Sequence, residues 1–311
     1  MTLEGPLWFA GSGWFAARCL VALAEKRTFS RVITARPRPA GRGLAERETP
    51  VDGTASKLGI PVFRTSDINR DETILASFLQ EKPFCFFVID FSQLIGEPFL
   101  SMPEPGCLNI HPSLLPAYRG AAPIQRAIMN GEKETGVTVF RLVSEMDAGP
   151  ILLSSKAKIG DEDTFGDMAE TLAVEGSDIA LEGLELFRKG RIFFREQPQE
   201  KATFAPKISK REIEIRWDIS SREVHDLVRS LNPYPGSHFI FRGKRTKLWR
   251  TRRGSKEGVP GEVVDFVDGN PLVACGKGSV ELVEVQAEGR RRTDGASWSR
   301  GRNFRKGDRL K

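Results

Sequence analysis

LWFAGSGWFA, residues 7–16, is the stretch that decides the fold of the amino-terminal half. It joins a short apolar run, a turn at Gly11 and Gly13, and a segment to residue 26 whose apolar residues recur at helical spacing. The turn matches the G-x-G-x-x-A dinucleotide fingerprint. The next predicted strand, however, ends without the acidic residue that a ribose requires. We therefore interpret the turn as a tight packing turn and predict no nicotinamide cofactor.

The alternation of strands and helices continues to about Gly190. A Pro/Gly/Arg-rich loop is predicted from Arg36 to about Thr54. Alternating strands and helices favour a doubly wound, mostly parallel sheet, so residues 1–190 are predicted to form a Rossmann-like α/β domain. The predicted strands are 7–10, 31–35, 61–63, 84–89, 107–110 and 136–142, and the predicted helices are 12–26, 72–81 and 164–189.

The pattern changes after Gly190. Residues 191–208 are polar and predict a linker. A predicted helix at about 220–231 precedes short strand-like pieces that are separated by turn residues such as Asp268-Gly269. This pattern predicts a small β-barrel with an OB-like arrangement for residues 209–311. The strand-like pieces are 238–241, 247–250, 261–266, 272–274 and 280–285.

The charges are divided unevenly between the two predicted domains. Residues 201–311 hold 25 of the 47 Lys/Arg and 14 of the 41 Asp/Glu, a net charge of +11. Residues 1–200 hold the remaining 22 Lys/Arg and 27 Asp/Glu, a net charge of −5. A strongly basic domain attracts a polyanion through its phosphates. Surface charge that serves solubility alone is the alternative.

Composition also limits the class of protein. No apolar run approaches the roughly 20 residues of a membrane helix, and charges from Arg18 onward argue against a signal peptide. The cysteines form no CxxC pair, which argues against a zinc site and a disulfide framework. We therefore expect a cytoplasmic protein without a metal and without a membrane partner. The four cysteines are Cys19, Cys85, Cys107 and Cys275.

The segment GCLNIHPSLLPAYRGAAPIQR, residues 106–126, carries the predicted chemistry. Asn109 and His111 are two apart on a predicted strand, so their side chains point to the same side, and Pro112 ends that strand. Open α/β sheets bind ligands at the carboxyl ends of their strands. An amide can hydrogen-bond a developing oxyanion, and an imidazole can shuttle a proton. The pair predicts acyl transfer, and a buried histidine satisfied by its neighbours is the alternative.

Asp147 is the third candidate. It follows the predicted strand 136–142 in a turn that is bounded by Gly149 and Pro150. A carboxylate at the end of a neighbouring strand orients an imidazole and stabilises its protonated form. An ordinary turn residue is the alternative, because Asp is common in turns.

Several motifs then give the chain a family resemblance. NIHPSLLP at 109–116, YRGAAPI at 118–124, ETGVT at 134–138 and DAGPIL at 147–152 together resemble the folate-dependent formyltransferases. Residues 204–217 and 232–236 resemble the carboxyl-terminal domain of the branch of this family that acts on methionyl-tRNA. The resemblance covers nearly the whole chain.

The resemblance implies a direct formyl transfer from 10-formyltetrahydrofolate to the α-amino group of methionyl initiator tRNA, for translation initiation. Asn109, His111 and Asp147 are then the catalytic residues. Asn109 and protonated His111 would stabilise the oxyanion of a tetrahedral intermediate, while Asp147 orients His111 and assists proton transfer. The expected partners are the initiator tRNA and the folate, and the expected state is a monomer.

The resemblance also implies the binding residues. Arg42, in the loop from Ala40 to Gly43, corresponds to a residue that grips the acceptor end of the tRNA. The strand in the basic cluster 242–253 adds predicted tRNA contacts, with Arg245, Lys247 and Trp249 on one face. The predicted tRNA-binding residues are Arg42, Arg245, Lys247 and Arg250, and the predicted folate-binding residues are Ser113, Leu114, Leu115 and Pro116.

The chain departs from the family pattern in two places. Lysines that usually follow the Gly-Arg-Gly loop are replaced by Leu44, Ala45 and Asp52. Asp90 and Ser92 stand where the family has small residues, and they either change the pterin pocket or cap a strand. Three other functions remain alternatives: formyl transfer to an amino-sugar nucleotide, hydrolysis of formyltetrahydrofolate, and non-catalytic RNA binding on the same scaffold.

Overall fold

A computed structural model describes residues 5–40 and 45–311 of the chain. The chain divides into two compact units. We call them the sheet unit and the barrel unit. The sheet unit consists of Met1–Gly120, Glu134–Lys158 and Ala169–Phe204, and the barrel unit of Ala121–Lys133, Ile159–Met168 and Ala205–Lys311. None of the helices within the described ranges is long and apolar enough to cross a membrane.

One seven-stranded sheet organises the sheet unit, and two short strands pair separately. The strands of the large sheet are β1 (Leu7–Gly11), β2 (Arg31–Ala35), β5 (Val62–Thr65), β6 (Cys85–Ile89), β7 (Cys107–His111), β8 (Glu134–Arg141) and β9 (Ile151–Lys158). The separate pair is β3 (Arg38–Ala40) with β4 (Ala45–Arg47). The helices are α1 (Trp14–Ala24), α2 (Pro50–Lys57), α3 (Glu72–Glu81) and α5 (Phe165–Arg188).

The strand order in the large sheet is β5-β2-β1-β6-β7-β8-β9. The first five strands run parallel, whereas β8 is antiparallel to β7 and β9 is antiparallel to β8. The predicted mostly parallel sheet is confirmed. Every residue of β1 and β6 is buried, which is typical of central strands that helices cover on both faces.

An aromatic cluster fills one side of this sheet. Trp8 contacts Phe78 edge to face at 5.2 Å and Phe86 at 6.4 Å between ring centroids. The Trp8 indole donates a hydrogen bond to Glu81 Oε2 at 3.0 Å, so its polar atom is satisfied. Phe78 also contacts Phe99 at 4.7 Å. Such pairs add about 0.5–1.5 kcal/mol each beyond their burial.

The prediction of a loop from Arg36 to about Thr54 is wrong in part. Helix α2 begins inside it at Pro50, and the Thr49 side chain caps the helix by accepting from the Asp52 backbone N–H at 3.0 Å. Proline favours the first helical turn because its missing N–H has no partner there in any case. A proline that indicates a loop by composition therefore marks the start of a helix here.

The barrel unit is built on an antiparallel sheet in the order β10-β11-β14-β13-β12, with β15 beside β14. Its strands are β10 (Ser237–Phe241), β11 (Lys244–Gly254), β12 (Val263–Val267), β13 (Asn270–Ala274), β14 (Ser279–Ala287) and β15 (Thr293–Asp294). Its helices are α4 (Pro123–Met129), α6 (Ser221–Ser230) and α7 (Gly295–Arg300).

The last residues of the chain join the two edges of this sheet. Lys311 exchanges two backbone hydrogen bonds with Ile240 of β10, at 2.6 and 2.9 Å. The segment 307–310 pairs with Gly261 and Val263 at the β12 edge. The sheet is thereby closed into a small barrel, as predicted. The barrel core is aromatic, with Phe239, Phe241, Trp298 and Phe304 among its buried side chains.

Candidate active site

Strand β7 positions Asn109 and His111 on one side of the sheet. Across the antiparallel pair of β7 and β8, Asn109 lies opposite Phe140 and His111 opposite Thr138. His111 is only 5% exposed, whereas Asn109 is half-buried. The Asn109 amide makes no hydrogen bond within the described part of the chain, so its donor is available to a substrate.

The two ring nitrogens of His111 face different groups. Nε2 lies 2.9 Å from the Tyr118 carbonyl oxygen, and Nδ1 lies 3.7 Å from Asp147 Oδ2. A carbonyl oxygen only accepts hydrogen bonds, so Nε2 carries a proton in every protonation state of the ring. Nδ1 is therefore the ring nitrogen that remains available, and it faces Asp147.

Asp147 reaches His111 by a route that the sequence did not indicate. Because β8 is antiparallel to β7, its last residue, Arg141, lies opposite Leu108, near the beginning of β7. The loop 142–150 must therefore fold back along the sheet. Asp147 sits in this loop with a left-handed φ of +52°, and its Oδ2 accepts the Gly120 backbone N–H at 2.8 Å.

The separation of Asp147 and His111 defines the interaction between them. At 3.7 Å the two atoms are too far apart for a hydrogen bond. The two side chains, 13% and 6% exposed, form an ion pair only when the imidazole is protonated. The carboxylate thus provides a negative charge next to the atom where a proton on the imidazole would reside.

The predicted folate loop, residues 113–116, is rigidly attached to β8. The Ser113 hydroxyl donates to the Ala117 carbonyl at 2.6 Å. Thr138 binds the loop twice, donating to the Ser113 carbonyl at 2.7 Å and accepting from the Leu115 N–H at 3.1 Å. Ser113 and Leu115 are buried, whereas Leu114 and Pro116 are half-buried. Only the latter two side chains present surface to a ligand.

Asp90 covers the glycine turn of β1 and α1. Its residue is exposed at the surface, but its carboxyl group packs against Gly13, where an added Cβ would lie 1.5 Å from Oδ2. Its carbonyl accepts the N–H groups of Ser12 and Gly13 at 3.1 and 3.3 Å. Burial of the carboxyl group raises the pKa of Asp90 to about 6. Gly13 is therefore needed because the Asp90 carboxyl group occupies the space that a side chain at position 13 would fill.

The predicted tRNA-binding residues fall into three groups. Arg42 lies outside the described residues. Arg245 and Arg250 are exposed on β11 and make no ion pair with the described residues. Lys247 is half-buried; its ammonium group donates to the Pro235 carbonyl at 2.6 Å, and burial lowers its pKa, with smaller contributions from Arg292 and Arg245.

A bulge in β11 places Trp249 beneath basic side chains. Leu248 pairs with Val285 and Arg250 with Glu284, so Trp249 is left without a partner between them. The Arg292 guanidinium stacks on the Trp249 ring at 3.6 Å, and the Lys247 ammonium lies 5.0 Å from its centroid. Trp249 is consequently only 4% exposed. The Trp249 ring therefore packs under these two cations and is not exposed for stacking on a ligand.

Two neighbouring side chains of the site were missed at the sequence level. Gln197 is buried and contacts the loop of Asp147, although residues 191–208 were predicted to be a linker. Arg119 is also buried and contacts Gln197. Among the described residues no group of three or more His, Cys, Asp or Glu could hold a metal ion.

The comparisons with known proteins agree with the geometry. Residues 8–184 match the formyl transferase family, and residues 207–303 match the formyl transferase carboxyl-terminal domain. The chain therefore belongs to the formyl transferase family. Its similar curated relatives carry the name methionyl-tRNA formyltransferase. One, from Cereibacter sphaeroides, is 37% identical over 94% of this chain and 95% of its own length.

A second relative of that name, from Halothermothrix orenii, is 36% identical over 97% of this chain and 98% of its own length. The fold is also similar to a crystal structure of an N-formyltransferase from Helicobacter canadensis in complex with folinic acid and dTDP-3-aminofucose. That similarity has a TM-score of 0.65 and 17% identity, and it covers 91% of this chain and 100% of the other. The predicted membership of the formyltransferases is confirmed.

Proposed function

We propose that the protein transfers the formyl group of 10-formyltetrahydrofolate to the α-amino group of methionyl initiator tRNA. The observation that carries the proposal is that β7 places Asn109 and His111 on one side of the sheet, with Asp147 Oδ2 3.7 Å from His111 Nδ1. The name methionyl-tRNA formyltransferase, which the curated relatives carry, supports the choice of acceptor.

In this proposal the Asn109 amide donates a hydrogen bond to the formyl oxygen. The attack of the amine on the formyl carbon places negative charge on that oxygen, and a donor aimed at a developing oxyanion is worth about 10²–10³ in rate. The Asn109 side chain is half-buried and has no competing partner among the described residues, so the hydrogen bond to the substrate replaces none within the protein.

His111 and Asp147 transfer the proton from the attacking amine to the departing folate nitrogen. The attacking amine must lose a proton, and the departing folate nitrogen must gain one. Since Nε2 is committed to the Tyr118 carbonyl, the exchange takes place at Nδ1. The Asp147 carboxylate, 3.7 Å away, stabilises the proton there while it is held.

The folate contacts are proposed for the exposed part of the loop 113–116. Leu114 and Pro116 are half-buried and form the apolar contact surface. Ser113 and Leu115 act indirectly, because their hydrogen bonds to Ala117 and Thr138 fix the path of the loop. The loop is thus shaped before the ligand arrives, which lowers the entropic cost of binding.

The barrel unit is proposed to bind the tRNA through phosphate contacts. Arg245 and Arg250 are exposed cations without ion-pair partners among the described residues. A cleft of about 400 Å³ in the same unit is lined by four cations and one carboxylate, that of Glu288. One of these cations, Arg242, also lies 3.9 Å from Asp308 Oδ2. Burial lowers the pKa of Arg302 in this cleft, with a smaller contribution from the neighbouring Arg290. The excess of cations over carboxylates in the lining supports the binding of an anion. These cations are Arg242, Lys244, Arg290 and Arg302.

An amino-sugar nucleotide is the second candidate acceptor, because the Helicobacter canadensis structure holds one. That similarity shows the fold alone, at 17% identity. A sugar nucleotide gives no reason for a net charge of +11 in residues 201–311. A polyanionic acceptor does give one.

The proposal includes a cytoplasmic monomer. All four cysteines are free and buried, which suits a reducing compartment. The molecular mass by sedimentation in solution tests the monomer, since a dimer would sediment at about twice the 34.6 kDa of the chain.

A formylation assay with four acceptors tests the function. Labelled 10-formyltetrahydrofolate is offered with methionyl initiator tRNA, methionyl elongator tRNA, free methionine or dTDP-3-aminofucose. The proposal expects rapid product on the initiator tRNA only. Product on the amino-sugar nucleotide, or formate release without an acceptor, would replace the proposed function by the corresponding alternative.

A further inference from the structure

Gln197 uses every hydrogen-bonding position of its side chain. It is 4% exposed. Its Oε1 accepts from Arg119 Nε at 3.2 Å and from Arg119 Nη2 at 2.6 Å. Its Nε2 donates to the carbonyl oxygens of Asp147 at 2.9 Å and Gly149 at 2.7 Å. A side-chain amide offers two acceptor positions and two N–H groups, so all four are occupied.

Arg119 links this amide to the segment that holds His111. The preceding residue, Tyr118, binds His111 Nε2 through its carbonyl, and the following residue, Gly120, binds Asp147 Oδ2 through its N–H. The Arg119 guanidinium is 3% exposed and is bound by side-chain amides, with Gln199 Oε1 at 2.8 Å completing the set. No carboxylate of the described residues pairs with it.

These contacts matter because Asp147 does not hydrogen-bond to His111. The 3.7 Å separation is not fixed by a bond between the two side chains. It depends on how the loop 142–150 is held, and this loop places Asp147 in a left-handed conformation that L-residues rarely adopt. Gly120 holds the carboxylate, and Gln197 holds the backbone on either side of Ala148.

We infer that Gln197 is a positioning residue for formyl transfer, acting through Asp147. Its amide bridges the buried Arg119 to the backbone of the Asp147 loop and sets the distance from Oδ2 to His111 Nδ1. The inference rests on the proposed function, because it assigns Gln197 to the same catalytic site. The segment that contains Gln197 is thus part of the active site's support and not only a connection between domains.

The variant Gln197→Glu separates the two halves of the bridge. A glutamate has nearly the same size and still accepts from Arg119, with added charge complementarity. It has no N–H to donate to the Asp147 and Gly149 carbonyls, and its second oxygen repels them. Gln80→Glu, at an exposed position on α3, is the matched control for the change of charge.

A double-mutant cycle with Asp147→Asn tests the inference. We expect Gln197→Glu to lower kcat for methionyl initiator tRNA by about 10–100-fold, a part of the 10²–10⁴ that positioned acid–base catalysis supplies. KM should change less than about threefold, since a change in KM alone signals ground-state binding. In the Asp147→Asn background, Gln197→Glu should lower kcat by less than about threefold.

Two outcomes would overturn the inference. They are an unchanged kcat in Gln197→Glu, and losses that multiply in the double variant, because residues that act through each other do not combine independently. If Gln197→Glu does not fold, Gln197→Asn enters the cycle, since its shorter arm cannot span Arg119 and the loop. The wild-type protein is the control that distinguishes the two failures. If the wild type does not formylate methionyl initiator tRNA, the proposed function is wrong. If it does, only the role of Gln197 is wrong.

Discussion

Asp147 and His111 are held 3.7 Å apart by hydrogen bonds to one tripeptide. The Tyr118 carbonyl holds Nε2 of the imidazole at 2.9 Å, and the Gly120 N–H holds Oδ2 of the carboxylate at 2.8 Å. The separation is therefore not set by a bond between the two side chains. It is set by the backbone of residues 118–120 and, in our inference, by the contacts of Gln197 with the Asp147 loop. Nδ1 makes no hydrogen bond among the described residues, which suits the proton exchange that we propose for it.

Removing Asn109 or His111 should abolish most of the rate while the fold is kept. One oxyanion donor is worth about 10²–10³ and one positioned acid–base group about 10²–10⁴. Asn109→Ala and His111→Ala should each lose at least about 100-fold in single-turnover formylation. Thermal unfolding is the control, and rates that stay within a few-fold of wild type for both variants would make the assignment wrong.

Replacing Asp147 by asparagine should lower kcat by about 100-fold, because the charge beside Nδ1 is lost while the size of the side chain is kept. The amide oxygen can still accept from Gly120, so the loop should remain folded. Glu145→Gln, an exposed position of the same loop, should keep the wild-type rate. Equal rates for the two variants would remove Asp147 from the mechanism.

Asp90 should make the protein less stable as the pH rises. Its pKa is about 6 in the folded protein and about 3.9 in an unfolded chain. Below pH 4 the carboxyl group is neutral in both states and costs nothing. Between pH 4 and 6 the unfolded state loses its proton first, so the free energy of unfolding falls, and the full penalty is present above pH 6.

The variant Asp90→Asn measures this penalty. It should raise Tm at pH 7.5 and leave it nearly unchanged at pH 4. Asp265→Asn should show the opposite sign at pH 7.5, because hydrogen bonds from Lys256 and Lys306 lower the pKa of Asp265. An Asp90→Asn variant that is no more stable than wild type at pH 7.5 would show that water reaches the carboxyl group.

The sequence predicts the parts of this structure that depend on short-range periodicity. β1 and β6 are continuous apolar runs, and the two-residue period of β7 places Asn109 and His111 on one side. β9 was missed because, in ILLSSKAK, the large apolar residues are confined to positions 151–153 and the rest of the strand is Ser, Lys and Ala. The antiparallel direction of β8 is decided by long-range pairing, which a local pattern does not contain.

The support of the site was not predictable for the same reason. Gln197 lies in a polar segment that indicates a linker by composition, yet it is buried by contacts with residues about 50 and 78 positions away. Similarly, the sequence predicts a packing turn at Gly11 and Gly13, but it does not show that the group packed against Gly13 is the carboxyl of Asp90, which follows β6. In both cases a residue's role is set by a partner that is remote in the chain.

The exposed arginines of β11, Arg245 and Arg250, should contribute to the salt dependence of tRNA binding. Each phosphate contact contributes about 0.7–0.9 to the slope of log affinity against log salt concentration. Arg245→Ala with Arg250→Ala should therefore reduce that slope by about 1.4–1.8 in filter binding of initiator tRNA. Lys256→Ala is the control, because its ammonium is already paired with Asp265, and it should leave the slope unchanged. A double variant with the wild-type slope would show that the phosphates contact another surface.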